Sequence, residues 1–326
     1  MLRIYTLSNA RFAPVEPVEG SGFPPDTVWI DLFNPTAEEE RLAEKQLGLF
    51  LPTREEMQEI EASSRLYQED GGMFMTASVL YATETDVPGT APITFVLKGQ
   101  TLVTIRYAEP KSLTGFIAHA ERQPTLCPSG SATLIGLLEA IVDRTADILE
   151  RVAGEVDALS QRIFKVHPGA VHKRTTNEEL EANLKQIGRS QNLVSKARES
   201  LVSLARLLSF LAVGDATKDK VFRTHLKSLS RDVASLTDHA TYIGNNITFL
   251  LDASMGMINI EQNAIIKIFS VAAVVFLPPT LVASIYGMNF EVMPELKWAV
   301  GYPWALGLMV LSAVLPYLWF KRKGWL

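Results

Sequence analysis

The chain has 326 residues, 47% of them hydrophobic, and a formal net charge of −5; with no basic stripe interleaved with aromatics, that balance argues against nucleic acid as a partner. The single cysteine, Cys127, excludes an intrachain disulfide and a cysteine-rich zinc site. The stretch Met1–Leu7 has no basic segment followed by a sustained apolar core, so no secretory signal is expected and a reducing cytoplasmic setting suits the large N-terminal part.

Residues 1–125 read as a mixed α/β domain. Leu2–Leu7 and Val28–Phe33 have strand character, and Asn34-Pro35-Thr36 opens a helix whose first turn carries Glu38, Glu39 and Glu40, where carboxylates suit the helix dipole. Pro52-Thr53 starts another helix, Phe74–Tyr81 is a further strand, and Ile93–Leu97 with Thr101–Tyr107 form a hairpin around Gly99. Pro110–Arg122 reads as a helix, and Gln123–Gly130, with two prolines and a glycine, as a linker.

From Ser131 onward only helices are expected. Ser131–Phe164 and Asn177–Val213 each repeat apolar residues every three to four positions, so residues 131–213 should form an antiparallel pair of long helices. Between Lys218 and Tyr286 the only prolines are Pro278 and Pro279 and the only glycines Gly244 and Gly256, which predicts one long stalk helix over 218–286. Ile268–Tyr286 within it is 19 residues without a formal charge, long enough at about 1.5 Å per residue to cross a hydrocarbon core of roughly 30 Å. A short loop, 287–299, leads to a second uncharged run, 300–320, and a basic tail, 321–326. Lys267 before the first span and Lys321, Arg322 and Lys323 after the second place both termini in the cytoplasm and the loop outside.

Counting from Asp252, the residues Asp252, Gly256, Asn259, Asn263, Ile266, Ser270, Ala273, Leu277, Thr280 and Ser284 are spaced alternately four and three apart, one face of a helix in a heptad-like register. This face is polar or small below the span and mixed within it, whereas the other faces of the span are mainly Val, Ile, Phe and Ala. Small hydroxylated residues also pack between membrane helices, which is one reading of Ser270, Thr280 and Ser284. The other is a pore. Two spans cannot enclose a channel, so several copies would surround an axis, turning each stripe residue into a ring: carboxylates at Asp252, amides at Asn259 and Asn263, apolar constrictions at Ile266 and Leu277. Asn289, beyond Gly287, would add a ring of amide oxygens suited to a cation that keeps its water, as Mg²⁺ does, with Glu291 and Glu295 adding negative potential at the entrance.

Tyr286-Gly287-Met288-Asn289 and Met293-Pro294-Glu295-Leu296, just outside the first of two C-terminal spans, together with the tail Lys321-Arg322-Lys323-Gly324-Trp325-Leu326, resemble the CorA family of divalent-cation transporters. The close likeness runs from about residue 230 to the end. It implies an α+β cytoplasmic domain followed by long helices and two C-terminal transmembrane helices, assembled as a funnel-shaped homopentamer in the cell (inner) membrane. It implies passive uptake of Mg²⁺, with Co²⁺ and Ni²⁺ as further substrates, through a filter at Gly287, Met288 and Asn289. The family's pore-lining positions fall on Asn263, Ile266, Leu277, Thr280 and Asn289, with an acidic ring at Asp252; Ile266 and Leu277 stand where the family can have methionine. Closure by Mg²⁺ bound between cytoplasmic domains is implied too, with Glu84, Asp86, Asp232, Asp238 and His239 as candidate ligands.

The five histidines form no close ligand cluster in sequence, and no Gly-rich phosphate loop, nucleophile–base constellation or nucleotide motif is present, so neither an enzyme nor nucleotide-driven transport is expected. A Zn²⁺ transporter of the same superfamily and a non-conducting membrane-tethered scaffold are the alternatives to a Mg²⁺ channel.

Overall fold

The computed structural model describes residues 1–8, 11–15, 22–85, 87–164, 177–213, 220–289, 291 and 293–324. The chain divides into two compact units, Met1–Leu251 and Asp252–Leu326, and the boundary falls inside a helix.

The first unit is built on a seven-stranded sheet. In chain order the strands are β1 (Leu2–Ser8), β2 (Arg11–Val15), β3 (Thr27–Phe33), β4 (Leu66–Glu69), β5 (Gly72–Tyr81), β6 (Gly89–Lys98) and β7 (Thr101–Arg106). Their spatial order is β2-β1-β3-β7-β6-β5-β4. Strands β3 and β7 pair in parallel, and the other neighbouring pairs are antiparallel. The hairpin expected around Gly99 is present: Lys98 pairs with Thr101, and Gly99 takes φ 58°, which glycine adopts without steric cost. Sequence reading passed over β2 and β4, which are the two sheet edges. Strand β2 contains Pro14, tolerated at an edge where no neighbour needs its missing N–H. Strand β4 is only four residues long and polar at its end, but Asp70 and Gly71 turn it back onto β5 with positive φ at both positions, the geometry that Asp-Gly favours.

Alternation along the strands sends side chains to two faces. On one, Ile4, Ile30, Leu32, Phe74, Val96, Val103 and Ile105 meet Ala43 of α1 (Ala37–Leu47) and Met57 of α2 (Arg54–Gln58). Both helices begin with a capping box, Thr36 with Glu39 and Thr53 with Glu56, so the two Pro-X-X signals in the sequence do open helices. A third short helix, α3 (Ala62–Arg65), leads into β4.

The other face carries the larger core. Trp29, Met75, Ala77, Phe95 and Leu102 pack with residues of α4 (Lys111–Arg122), α5 (Gly130–Phe164), α6 (Asn177–Val213) and the first part of α7 (Lys220–Tyr286). The long helices are therefore not an appendage: Leu138, Leu201 and Leu229 belong to the same buried cluster as the sheet. The stretch 123–130 is packed as well. It holds a 3₁₀ turn, Pro124–Leu126, a fully buried Cys127, and Gly130, where a Cβ would lie 2.6 Å from the Gln100 carbonyl oxygen. Burial raises the Cys127 thiol pKa to about 11, against a hydrogen bond with Thr133 that lowers it.

The second unit consists of the upper part of α7, a 3₁₀ turn (Pro294–Lys297) and α8 (Gly301–Arg322). Both α7 and α8 contain a segment long and apolar enough to cross a membrane. Helix α7 runs through Pro278 and Pro279 without interruption, although the two prolines deprive the carbonyls of Val274 and Val275 of their usual donors.

Candidate functional site

The site is built on α7 above Leu251 and the turn that ends it. Helical geometry puts the stripe from Asp252 to Ser284 on one face. In the single chain nine of its ten residues are exposed and Gly256 is half-buried; Ile266 is 60% and Leu277 65% exposed. Most residues of this segment that lose exposure lie on the other side: Ser254 and Val271 are buried, and Ile258, Glu261, Ala272, Val275, Pro278, Pro279, Val282 and Tyr286 are half-buried, as is Ala253 at the edge of the stripe. Helix α8 turns in a small face of its own, Gly301, Ala305, Met309, Ser312, Ala313, Pro316 and Phe320. Its remaining surface is apolar and exposed, including Leu306, Val310, Leu311, Leu315 and Leu318. Exposed aromatics cluster near its ends, with Trp298, Tyr302 and Trp304 at one and Tyr317 and Trp319 at the other, as expected where a span meets the two interfaces.

The stripe residues present different chemistry along the helix. Asp252, Asn259 and Asn263 offer carboxylate and amide oxygens. The Thr280 hydroxyl donates to the Phe276 carbonyl at 2.8 Å, which fixes its hydrogen within the helix and leaves its oxygen free to accept. Ile266 and Leu277 offer only apolar surface.

Helix α7 then closes. The Gly287 N–H donates to Ala283 O at 3.0 Å and the Met288 N–H to Ile285 O at 3.2 Å, so two of the last carbonyls find donors and the chain leaves the helix at Asn289. Gly287, Met288 and Asn289 are all exposed at this tip. Beyond them Glu291 is exposed and Glu295 half-buried, the latter within the 3₁₀ turn. The return into α8 is tight: the Trp298 N–H donates to Glu295 O at 3.3 Å and the Gly301 N–H to Trp298 O at 3.0 Å. A Cβ on Gly301 would lie 2.2 Å from the Glu295 carbonyl oxygen, so this position needs glycine. Sequence reading did not single out Gly301; its contact is with a backbone six residues earlier, which no local spacing reveals.

The other candidates lie in the first unit and stand apart. Glu84 is held by two cations, an ion pair with Lys111 and another with Arg144 at 2.9 Å, which keep its carboxyl below the usual carboxylate range. Arg151 also donates to the Thr83 carbonyl at 3.1 Å, so the segment before residue 86 is fastened at two points. Asp86 lies outside the described residues. Asp232, Asp238 and His239 are exposed on α7; the His239 ring stacks near Tyr242 with centroids 6.3 Å apart. Among the described residues no group of three or more His, Cys, Asp or Glu is arranged to hold a metal ion within one chain.

A family model described as "CorA-like Mg2+ transporter protein" matches residues 25–322. Two proteins named "Magnesium transport protein CorA", from Sodalis glossinidius (strain morsitans) and Escherichia coli (strain K12), are each 37% identical over 326 residues, covering 100% of both chains. The complete structure of a CorA magnesium transporter from Methanocaldococcus jannaschii shares the fold, with a TM-score of 0.75 at 20% identity over 100% of this chain and 99% of that one. With the family model spanning nearly the whole chain and the relatives spanning all of it, the chain belongs to the CorA-like Mg²⁺ transporter family, whose members are membrane ion transporters and not enzymes.

Proposed function

We propose that this protein is a passive Mg²⁺ channel, in which several copies, five by the family resemblance, line a pore with their α7 stripes. The observation that carries this reading is the face of α7 from Asp252 to Ser284, polar or small below the span and mixed within it, with Gly287-Met288-Asn289 just beyond its end. In one chain that face is exposed and points away from the residues α7 buries. Lipid is a poor neighbour for Ser270, Thr280 and Ser284, because polar groups in a span belong against protein or water. Copies arranged around an axis satisfy the stripe and leave the apolar faces of α8 to lipid.

In this arrangement Asn289 forms the outer filter with Gly287 and Met288. Its amide oxygens accept hydrogen bonds from the first-shell waters of Mg²⁺, so the ion enters without losing its costliest ligands. Glu291 and Glu295 raise the local cation concentration. Asn263 and Thr280 offer further oxygens, and Asp252 adds a carboxylate ring at the inner end. Ile266 and Leu277 form apolar rings that stop conduction by dewetting when the helices close up. Inside-negative potential drives entry, Co²⁺ and Ni²⁺ follow the same path, and both termini lie in the cytoplasm. Mg²⁺ that accumulates there binds acidic groups between neighbouring cytoplasmic domains and favours the closed ring, with Asp232, Asp238, His239, Asp86 and Glu84 as candidate ligands. For Glu84 this requires release from Lys111 and Arg144.

The test is flux in liposomes holding a Mg²⁺-sensitive dye at inside-negative potential. Wild-type protein should admit Mg²⁺ without a proton gradient, and Asn289→Ala should lower entry tenfold or more, the scale of one lost charge-assisted hydrogen bond per subunit, about 1.5–3 kcal/mol. Zn²⁺ entry that depends on protons, with no Mg²⁺ entry, would move the protein to zinc transport. No flux of either ion in folded protein would leave a membrane-tethered scaffold.

A further inference from the structure

Strand β4 pairs with β5 only from Glu69↔Gly72 to Leu66↔Met75, so the second half of β5 is left without a strand on that side. A groove of about 550 Å³ opens over this bare edge. Thr76 and Ser78 of β5 form part of its floor, and α6 supplies one wall. The exposed edge is partly satisfied by side chains: the Ser78 N–H donates to Ser203 Oγ of α6 at 2.9 Å.

Three guanidinium groups line this groove, Arg65 at the end of α3 and Arg198 and Arg206 on α6. Arg198 and Arg206 are two turns apart on one helix face, roughly 12 Å along the axis. Arg65 donates to Ser78 Oγ at 3.2 Å and to the Glu59 carbonyl, so its guanidinium is fixed in the wall. Burial and the nearby Arg206 charge disfavour its charged form while the Glu199 carboxylate favours it, and the balance lowers its pKa. Neither Arg198 nor Arg206 has an ion-pair partner among the described residues. Among the described residues the carboxylate that lines the groove is Glu199, which accepts from Thr90 at 3.0 Å, pairs with Lys196 at 3.0 Å and attracts Arg65. Ser195 adds a hydroxyl beside Arg198.

Three arginines therefore outnumber one carboxylate around a groove of small-ligand size, whose lining also includes the apolar Ile60, Leu66 and Val202. We propose that this groove binds a soluble oligophosphate, held by Arg65, Arg198 and Arg206 with hydroxyl donors from β5 and α6. Planar guanidinium groups match phosphate oxygens in pairs and suit such a ligand better than a monovalent anion. A phosphate site made this way needs no Gly-rich loop, and its arginines are 133 residues apart in sequence (65 to 198), so no motif announces it.

Titration calorimetry on the full-length protein in detergent and Mg²⁺-free buffer tests this, with inorganic pyrophosphate and ATP as separate probes and adenosine as the uncharged comparison. Pyrophosphate or ATP should bind at sub-millimolar concentration, and adenosine should not. Similar affinities would identify a plain oligophosphate site; much tighter ATP would show that a nucleoside also contributes. Arg198→Ala/Arg206→Ala should weaken binding at least tenfold, while Arg41→Ala/Lys45→Ala, which removes equal charge from α1 on the opposite face of the sheet, should not. Absence of binding by either phosphate probe, or equal weakening in both double variants, would overturn the proposal. Neither Arg198 nor Arg206 holds the fold through a hydrogen bond given by the structure, so a folded variant is expected, and its thermal transition serves as the check.

Discussion

The Arg106 guanidinium meets the Asp31 carboxylate through two parallel hydrogen bonds, Nε to Oδ1 at 2.9 Å and Nη2 to Oδ2 at 2.8 Å, with both side chains fully buried. The pair bridges β3 and β7, the parallel neighbours at the middle of the sheet. Thr104 donates to the same Asp31 oxygen at 2.8 Å, and Trp29 Nε1 donates to Thr104 at 2.9 Å. Arg106 also donates to the Ala108 carbonyl and lies 4.3 Å from the Phe33 ring centroid. Every strong polar group in this part of the core therefore has a partner.

Removing one member leaves a buried charge alone. Asp31→Leu or Arg106→Met should each cost about 3–5 kcal/mol, whereas the double substitution should recover much of the loss because no unpaired charge remains. Thermal unfolding of the full-length protein in detergent measures both. A double variant as unstable as the sum of the singles would show that the pair contributes more than mutual neutralisation.

At the other end of the chain, Gly301→Ala places a Cβ against the Glu295 carbonyl, and the backbone must move. The expected loss is about 1–3 kcal/mol, typical of overpacking. Gly307→Ala, on the same helix with open space around it, should be neutral or stabilising, since alanine favours a helix by up to about 1 kcal/mol. Paired melting curves separate the two.

Asp143 on α5 has its pKa raised, first by partial burial and then by Glu139, Asp147 and, from α7, Asp232. A carboxyl raised on folding weakens the fold as pH climbs from the ordinary carboxylate value, about 4, through its folded value, and the penalty is fully present at neutral pH. Asp143→Asn should raise the melting temperature at pH 7 and leave it unchanged near pH 3. The gain should stay below about 1 kcal/mol, because the side chain is largely exposed.

Cys127 should be silent to thiol reagents in the folded protein. Its thiol, raised to about 11 by burial, is almost entirely protonated at pH 8, and no solvent reaches it. Iodoacetamide labelling followed by mass spectrometry should show modification only after denaturation.

Much of the membrane unit was legible in the sequence because the physics is local. A bilayer excludes charge, so two long uncharged runs stand out without any knowledge of their neighbours. Helix period alone puts Asp252 through Ser284 on one face, and Gly287-Met288-Asn289 sits where the charge-free run stops. Helices α4 to α8 lie close to where their apolar spacing, prolines and glycines placed them. The sheet was read less completely. Strand β2 carries a proline and β4 is short and polar, which are the marks of edges, and edge status depends on strand order.

By itself the sequence determined the helical register of the stripe and the length of the apolar runs, since each depends on residues within a few turns of one another. Only the tertiary structure decided which distant residues meet. It brought Asp31 to Arg106 across 75 positions, fastened Glu84 to Lys111 and Arg144, buried Cys127 beneath the long helices, and set Arg65 beside α6. The buried ones among them arise from burying two faces of one sheet at once. The core selects partners by shape and by the cost of leaving polar groups unpaired, and neither quantity is written in local spacing.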